Sequence, residues 1–375
     1  MTIEILDGNQ TAAYAARLAR VQCVPCFPIT PQTELIETIA KWKADGEFDV
    51  EYNQLESEHS VLSAALGSAL TGARTFTATS SQGLLYMHEI LPNVSGMRLP
   101  VVMVNVSRAI SAPITLWCDF NDVLAMRDSG WITFICESNQ EVLDTIIMSY
   151  KIAEKILLPV LVNMDGFITS FTRTEVDIPK QGLVDKFLPK LNLPFAIDIK
   201  KPRSYGLPAM DDYMFFKSQH HKAMLDSLKI IEKTQKEYQK LTKRRYDFIE
   251  SYKLENAKVA IVMMGANSTI GKAAIENLRK KGVKAGLLRI RLLRPFPEKQ
   301  IINSLKNIKK VIVLDQNISP GLSGILYPEV RSILKNKIVS NYIIGLGGKP
   351  VSQKEIENII LEILKSDKEE RKWLM

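Results

Sequence analysis

Short apolar segments of strand length alternate with helix-patterned segments over most of the chain, and nothing else in the sequence limits the fold as strongly. One segment, LPVVMVNVS at 99–107, is apolar almost without a break, as expected for a parallel strand covered by helices on both faces. Around it the pattern predicts strands near Val21–Phe27, Phe48–Asn53, Thr75–Thr79, Ile132–Ile135 and Pro159–Asp165. Helices are predicted over Gly8–Arg20, Glu34–Trp42, Glu58–Gly72, Leu84–Met97 and Asn139–Ile156. The expected fold class is α/β, with residues 1–170 a doubly wound parallel sheet whose loops converge on one edge. From 171 to about 215 the pattern fades, and Pro179, Pro189, Pro194, Pro202 and Pro208 mark an extended arm. Irregular stretches of that length are usually functional or held by a partner. Gln219–Glu250 reads as a long charged helix, and a second α/β unit begins with the strand Val259–Met264. The expected division is 1–218 including the arm, a helical linker at 219–255, and a smaller domain at 256–375.

A hydrophobic content of 46% and a charged content of 24% are those of a globular chain. No apolar run reaches the length of a bilayer span, so no membrane role is expected. The segment MTIEILDGNQ holds two acids and no apolar core, which makes the cytoplasm the expected compartment. Charge is uneven: residues 1–200 carry 15 Lys and Arg against 23 Asp and Glu, and residues 201–375 carry 34 against 18. The basic excess falls on helical surfaces mixed with acids and shows no aromatic-interleaved patch, so nucleic acid is not an expected partner. Cys23 and Cys26 form a lone C-x-x-C, and neither a second pair nor spaced histidines complete a metal or cluster site.

Chemistry gathers elsewhere. Gly265 to Gly271 follows a strand, but its spacing does not fit a dinucleotide fingerprint, and no P-loop or G-x-S-x-G elbow exists. His59 and His88 read as packing or hydrogen-bonding histidines. Between Tyr52 and Met87, Glu58 heads a run of small and apolar residues with no further charge until Arg74, after which comes the polar loop Ala78-Thr-Ser-Ser-Gln-Gly83. Glu58 is either a charge compensating a helix start or an acid withdrawn from water that can share a proton with a ring nitrogen. Thr30 lies between Pro28 and Pro31 in a stiffened loop at a strand end, as an ordinary turn hydroxyl or a ligand contact. Arg108, the only charge between Arg98 and Asp119, either pairs internally with Asp119 or Asp122 or holds a small carboxylate.

Eight phrases, in order along the chain, carry a resemblance: Phe27-Pro-Ile-Thr-Pro-Gln-Thr33, Leu55-Glu-Ser-Glu-His-Ser60, Gly72-Ala-Arg-Thr-Phe-Thr-Ala-Thr-Ser-Ser-Gln-Gly83, Arg108-Ala-Ile-Ser-Ala-Pro113, Arg127-Asp-Ser-Gly-Trp131, Arg294-Pro-Phe-Pro297, Asp315-Gln-Asn-Ile-Ser319 and Gly345-Leu-Gly-Gly348. Together they resemble the alpha subunits of pyruvate:ferredoxin oxidoreductase (pyruvate synthase). The resemblance implies a pyrimidine-type thiamine-diphosphate domain followed by a transketolase-C-terminal-like domain. It implies decarboxylation of a 2-oxo acid, chiefly pyruvate, on thiamine diphosphate, with electrons passed to ferredoxin and the acyl group to coenzyme A. It places the diphosphate, its Mg2+ and the [4Fe-4S] clusters in partner beta, gamma and ferredoxin-like delta subunits. Glu58 falls on the glutamate that contacts N1′ of the cofactor and favours its imino tautomer. Thr30 and Arg108 fall on the threonine and arginine that hold the substrate carboxylate. Phe27 stands where the family usually has tyrosine, and Cys118 occupies a variable place. A branched-chain or other 2-oxoacid oxidoreductase subunit is the alternative within the class. A non-catalytic assembly subunit is the alternative outside it, and the joint presence of Glu58, Thr30 and Arg108 speaks against that one.

Overall fold

The computed structural model describes residues 2–205 and 210–375. Its first sheet orders the strands Leu292–Arg294, Ile132–Ile135, Val160–Asp165, Val102–Ser107 and Phe76–Thr79. The parallel pair Cys23–Cys26 and Glu51–Gln54 extends it beyond Phe76–Thr79 through a parallel bridge from Cys23 to Thr75. From Cys23–Cys26 the chain steps outward to Glu51–Gln54, then returns and steps the other way through Phe76–Thr79 and Val102–Ser107. Winding therefore reverses between Cys23–Cys26 and Phe76–Thr79. In sheets of this kind the crevice outside the carboxyl ends at such a reversal is where ligands bind.

Helices cover both faces for legible reasons. Gly8–Leu18 is closed at its start by a capping box in which Asp7 and Gln10 exchange contacts, and its alanines 12, 13, 15 and 16 are fully buried. Asn139–Ile156 is capped by Ser138 and stopped by left-handed Leu157. The helix expected over Leu84–Met97 is instead two, Ser81–Tyr86 and Leu91–Gly96. Pro92 sits in the first turn of the second, where its missing N–H costs no helical bond.

The arm is more ordered than its prolines suggest. Thr174–Ile178 pairs antiparallel with Thr2–Leu6, and Gln181–Phe187 is a helix. Pro179 lies between these two elements and punctuates them without disrupting either. The described residues from Leu188 to Asp212 contain no helix or strand, and Pro208 lies outside the described residues. The long helix spans Tyr213–Thr242, and the end of the expected linker is a strand, Ile249–Tyr252, on the edge of the second sheet. Arg244 turns the chain there by binding Asp144 and Asp177, and Tyr238 and Tyr246 also donate to the fully buried Asp144.

The second sheet orders Arg371–Trp373, Ile338–Ile343, Lys310–Asp315, Val259–Met263, Ala285–Ile290 and Ile249–Tyr252. Two features sew it to the first. Leu292–Arg294, which follows a strand of the second sheet, pairs with Ile132–Ile135 of the first. Beside that crossing, Arg289 binds Glu137, Glu141 and Glu250, Arg291 binds Glu141, and Lys272 binds Glu137 and Glu250. Burial pushes the Glu141 carboxyl up, but the Arg289 and Arg291 guanidiniums outweigh it and hold the group below its ordinary value. Removing one member of a buried ion cluster strands its partners without solvent. Glu141→Ala is expected to destabilise the chain by about 3–5 kcal/mol, read as a lowered urea midpoint. A midpoint equal to the parent's would show that the seam is held without these ions.

Candidate active site

Four loops meet at the reversal of the first sheet, each from the carboxyl end of a neighbouring strand. Thr30 follows Cys23–Cys26, Glu58 follows Glu51–Gln54, Gln82 and Gly83 follow Phe76–Thr79, and Arg108 follows Val102–Ser107. The three side chains singled out in the sequence thus come to one crevice.

Glu58 is the first residue of the helix Glu58–Leu70, behind an N-cap Ser57 whose hydroxyl accepts from the Ser60 N–H. It is 8% exposed, and no described residue donates a hydrogen bond to its carboxylate. Ser57 takes over local capping, so the carboxylate is free to face the crevice. The backbone of Gly83 lies directly on it: a Cβ at position 83 would stand 2.5 Å from Glu58 Oε1 and 2.6 Å from Thr79 Oγ1. Only glycine allows that approach. The buried hydroxyls of Thr79 and Ser80 have no hydrogen-bond partner.

Arg108 does not form the internal ion pair that its sequence position also allowed. Its guanidinium donates to the Thr30 carbonyl at 2.7 Å and to Gln82 Oε1 at 2.9 Å, and its Nε has no partner. Partial burial pulls the guanidinium below its ordinary pKa, while the charges of Asp122 and Glu58 act against that pull. Asp122 binds the Arg108 backbone N–H instead, and also accepts from the N–H groups of Ser81 and Val123, Asn105 Nδ2 and Ser107 Oγ. Asp119 accepts from the Asn121 N–H, and burial pushes its carboxyl up to about 6. Among the described residues, Arg108 is thus a cation without a paired anion, which suits it to bind one. The Thr30 side chain is exposed at the rim. There it borders an open apolar groove of about 650 Å3 lined also by Ile114, Leu116, Trp117, Phe167 and Phe171.

Ser81, Gln82 and Asp122 are the members of the site whose roles the sequence did not reveal. The Ser-Ser-Gln-Gly loop stood out by its polarity, but the left-handed backbone of Ser81 and the orientation of Gln82 have no sequence signature. Cys23 and Cys26 are free, buried and three residues apart on one strand, which places their side chains on opposite faces. Their sulfurs lie near Ser68 Oγ and the Asn53 carbonyl respectively. His59 meets Glu89 at the surface. No helix among the described residues is long and apolar enough to cross a membrane.

Comparison with known proteins shows the family to which the chain belongs. Residues 14–239 match the family model for pyruvate flavodoxin/ferredoxin oxidoreductase, thiamine diP-binding, and residues 257–356 match pyruvate:ferredoxin oxidoreductase core domain II. The chain is 45% identical over 379 residues to pyruvate synthase subunit PorA of Methanocaldococcus jannaschii, covering 99% of this chain and 97% of the relative. It is 43% identical to the PorA subunit of Methanothermobacter thermautotrophicus, at 96% and 95% coverage. Identity to the ketoisovalerate oxidoreductase subunit VorA of Pyrococcus horikoshii is 41%, at 98% and 96% coverage. Among solved structures, 2-oxoglutarate:ferredoxin oxidoreductase from Magnetococcus marinus superposes with a TM-score of 0.75 at 22% identity, over 97% of this chain and 65% of that one. A split-gene transketolase superposes with a TM-score of 0.54 at 14% identity, over 94% and 96%. Fold and matches define the class, an α/β chain of the thiamine-diphosphate-binding type. Within it, the chain belongs to the pyruvate flavodoxin/ferredoxin oxidoreductase family, as an alpha subunit of a 2-oxoacid:ferredoxin oxidoreductase.

The contact between Gly83 and Glu58 gives a direct check on the crevice. Gly83→Ala is expected to displace the Glu58 carboxylate and lower thiamine-dependent turnover of the assembled enzyme at least tenfold, equivalent to about 1.4 kcal/mol, while the melting temperature moves little. Unchanged turnover would show that the carboxylate position is immaterial.

Proposed function

We propose that this chain is the alpha subunit of a pyruvate:ferredoxin oxidoreductase and contributes the proton-handling and carboxylate-binding half of a shared active site. The observation that carries the reading is one continuous set of contacts, from Thr30 through Arg108 and Gln82 to Gly83 and Glu58. It joins an unpaired cation to a buried, unpartnered acid at the ligand-binding edge of the sheet.

The residues present fit the aminopyrimidine half of thiamine diphosphate. A buried carboxylate without a donor, a glycine that bares the backbone beside it, and unpartnered hydroxyls at Thr79 and Ser80 are what a polar heterocycle requires. When bound, the cofactor supplies a carbon nucleophile and a sink for the electrons released with CO2. Glu58 shares a proton with the pyrimidine ring nitrogen. Its low exposure keeps that contact away from bulk water. Arg108 pairs with the carboxylate of the 2-oxo acid, and the Thr30 hydroxyl donates to the same group.

The other components are assigned to companions. The diphosphate, Mg2+ and [4Fe-4S] clusters belong to a beta subunit and to gamma and ferredoxin-like delta subunits, with ferredoxin as electron acceptor and coenzyme A as acyl acceptor. Support comes from relatives named as subunits and from the coenzyme A bound in the 2-oxoglutarate enzyme. The chain divides as 1–218, a linker to 255, and 256–375. A branched-chain substrate is the second reading, favoured by the apolar groove beside Thr30 and the identity to the ketoisovalerate subunit. One methylene is worth only about 1–3 kcal/mol in such a pocket, and a panel of 2-oxo acids separates the two readings.

Glu58→Gln is expected to abolish turnover in the reconstituted complex while assembly survives on gel filtration; near-normal turnover would sink the proton-sharing role. Arg108→Ala is expected to raise KM for pyruvate and to lower kcat/KM by about 2–5 kcal/mol of transition-state stabilisation. An unaltered dependence on pyruvate concentration would remove its carboxylate role.

A further inference from the structure

Gln82 stands in the middle of the crevice, and the reading above gives it no task beyond its contact with Arg108. Its orientation is dictated by chemistry. A guanidinium can only donate, so the atom facing Arg108 Nη2 at 2.9 Å is the amide oxygen, and Ser81 Oγ lies 2.6 Å from the same oxygen. The amide nitrogen therefore points away from both, and no described residue accepts from it. Ser81 is itself pinned, since its N–H binds the buried Asp122 and its hydroxyl also reaches the Ala109 carbonyl. The next residue, Gly83, rests on the Glu58 carboxylate. A held amide whose N–H2 has no acceptor among the described residues thus stands beside the cation that receives a carboxylate, one residue before the glycine that rests on the Glu58 carboxylate.

We infer that the Gln82 amide donates a hydrogen bond to the 2-oxo oxygen of the substrate while Arg108 holds its carboxylate. The carboxylate and keto oxygens of a 2-oxo acid are borne on adjacent carbons. A ligand whose carboxylate sits on Arg108 accordingly brings its keto oxygen close to a side chain bonded to the same guanidinium. When the carbonyl carbon accepts a nucleophile, the electron pair of its C–O π bond moves onto that oxygen. An N–H donor already aimed there stabilises the growing charge without reorganising. A neutral amide does so without repelling the anionic substrate. Gln82 is in this sense a catalytic residue, and the inference rests on the carboxylate-binding reading of Arg108.

The test uses the assembled, cofactor-loaded complex and two ligands that are not turned over. Oxamate has a carboxylate with an adjacent carbonyl oxygen, and propionate has the carboxylate alone. In calorimetric titrations, Gln82→Leu is expected to weaken oxamate about tenfold relative to propionate, and to lower kcat on pyruvate by roughly 10²-fold, as loss of a single oxyanion donor does. Gln82→Glu keeps an acceptor toward Arg108 but loses the donor, and is expected to show the same collapse of the oxamate-to-propionate ratio. If both ligands weaken together and the ratio stays within about twofold of the parent's, a margin below 0.5 kcal/mol, Gln82 only props Arg108 and the inference is overturned. Arg108→Ala serves as the separate check: it should weaken both ligands alike. If it leaves both unchanged, the carboxylate reading has failed instead.

Discussion

A fully buried carboxylate that satisfies several donors is hard to displace, because every donor it released would be left without either protein or water. Asp122 holds that position at the mouth of the first sheet, gathering the backbones of Ser81, Arg108 and Val123 with the side chains of Asn105 and Ser107. Burial pushes its pKa up, and the bonds from Asn105 and Ser107 pull the other way. Three segments far apart in sequence are held to one another through this single group. Arg108 stands at the end of one of them and Gln82 beside another, so the geometry of the crevice follows from it. Asp122 itself remains behind the backbone, out of reach of anything bound in front.

The second unit braces this arrangement from outside. The loop after Arg108 packs against it: the Phe120 N–H donates to the Gln316 carbonyl, Gln316 Nε2 donates to the Cys118 carbonyl, and Asn121 exchanges two bonds with Ile318. Trp117 lies over Gly348 and Phe120 over Gly265, each at a distance that a Cβ would close. The Asp315-Gln-Asn-Ile-Ser and Gly345-Leu-Gly-Gly phrases thus have a structural meaning. They shape the surface on which the loop after Arg108 rests.

What the sequence made legible divides along physical lines. Strand–helix alternation and the apolar run at 99–107 are local signals, and they were enough to place Thr30, Glu58 and Arg108 at strand ends on one edge. The choice between alternatives at each position was not local. Whether Glu58 merely compensates a helix start depends on Ser57 doing the capping and Gly83 closing over the carboxylate. Whether Arg108 pairs with Asp122 depends on that carboxylate being consumed by backbone donors. Gln82 was visible only as part of a polar loop, since its role depends on which of its two amide atoms meets a guanidinium. The strands within the arm and at the end of the linker were not legible because prolines and charges describe composition, whereas Thr174–Ile178 and Ile249–Tyr252 become strands through partners far away in sequence.

The strand Leu292–Arg294 has a bearing on how the molecule comes to exist at all. The first sheet lacks its edge on the Ile132–Ile135 side until residue 294 has been synthesised, long after the rest of that sheet is available. During synthesis the nascent first unit therefore exposes an open strand edge and the carboxylates of Glu137 and Glu141 without their cations, a condition that invites wrong pairing. For the same reason, severing the chain between Thr242 and Ile249 would not yield two self-sufficient halves, although two separate family models describe them. A cut at that apparent joint would part the edge strand from its sheet and Glu137 and Glu141 from Lys272, Arg289 and Arg291.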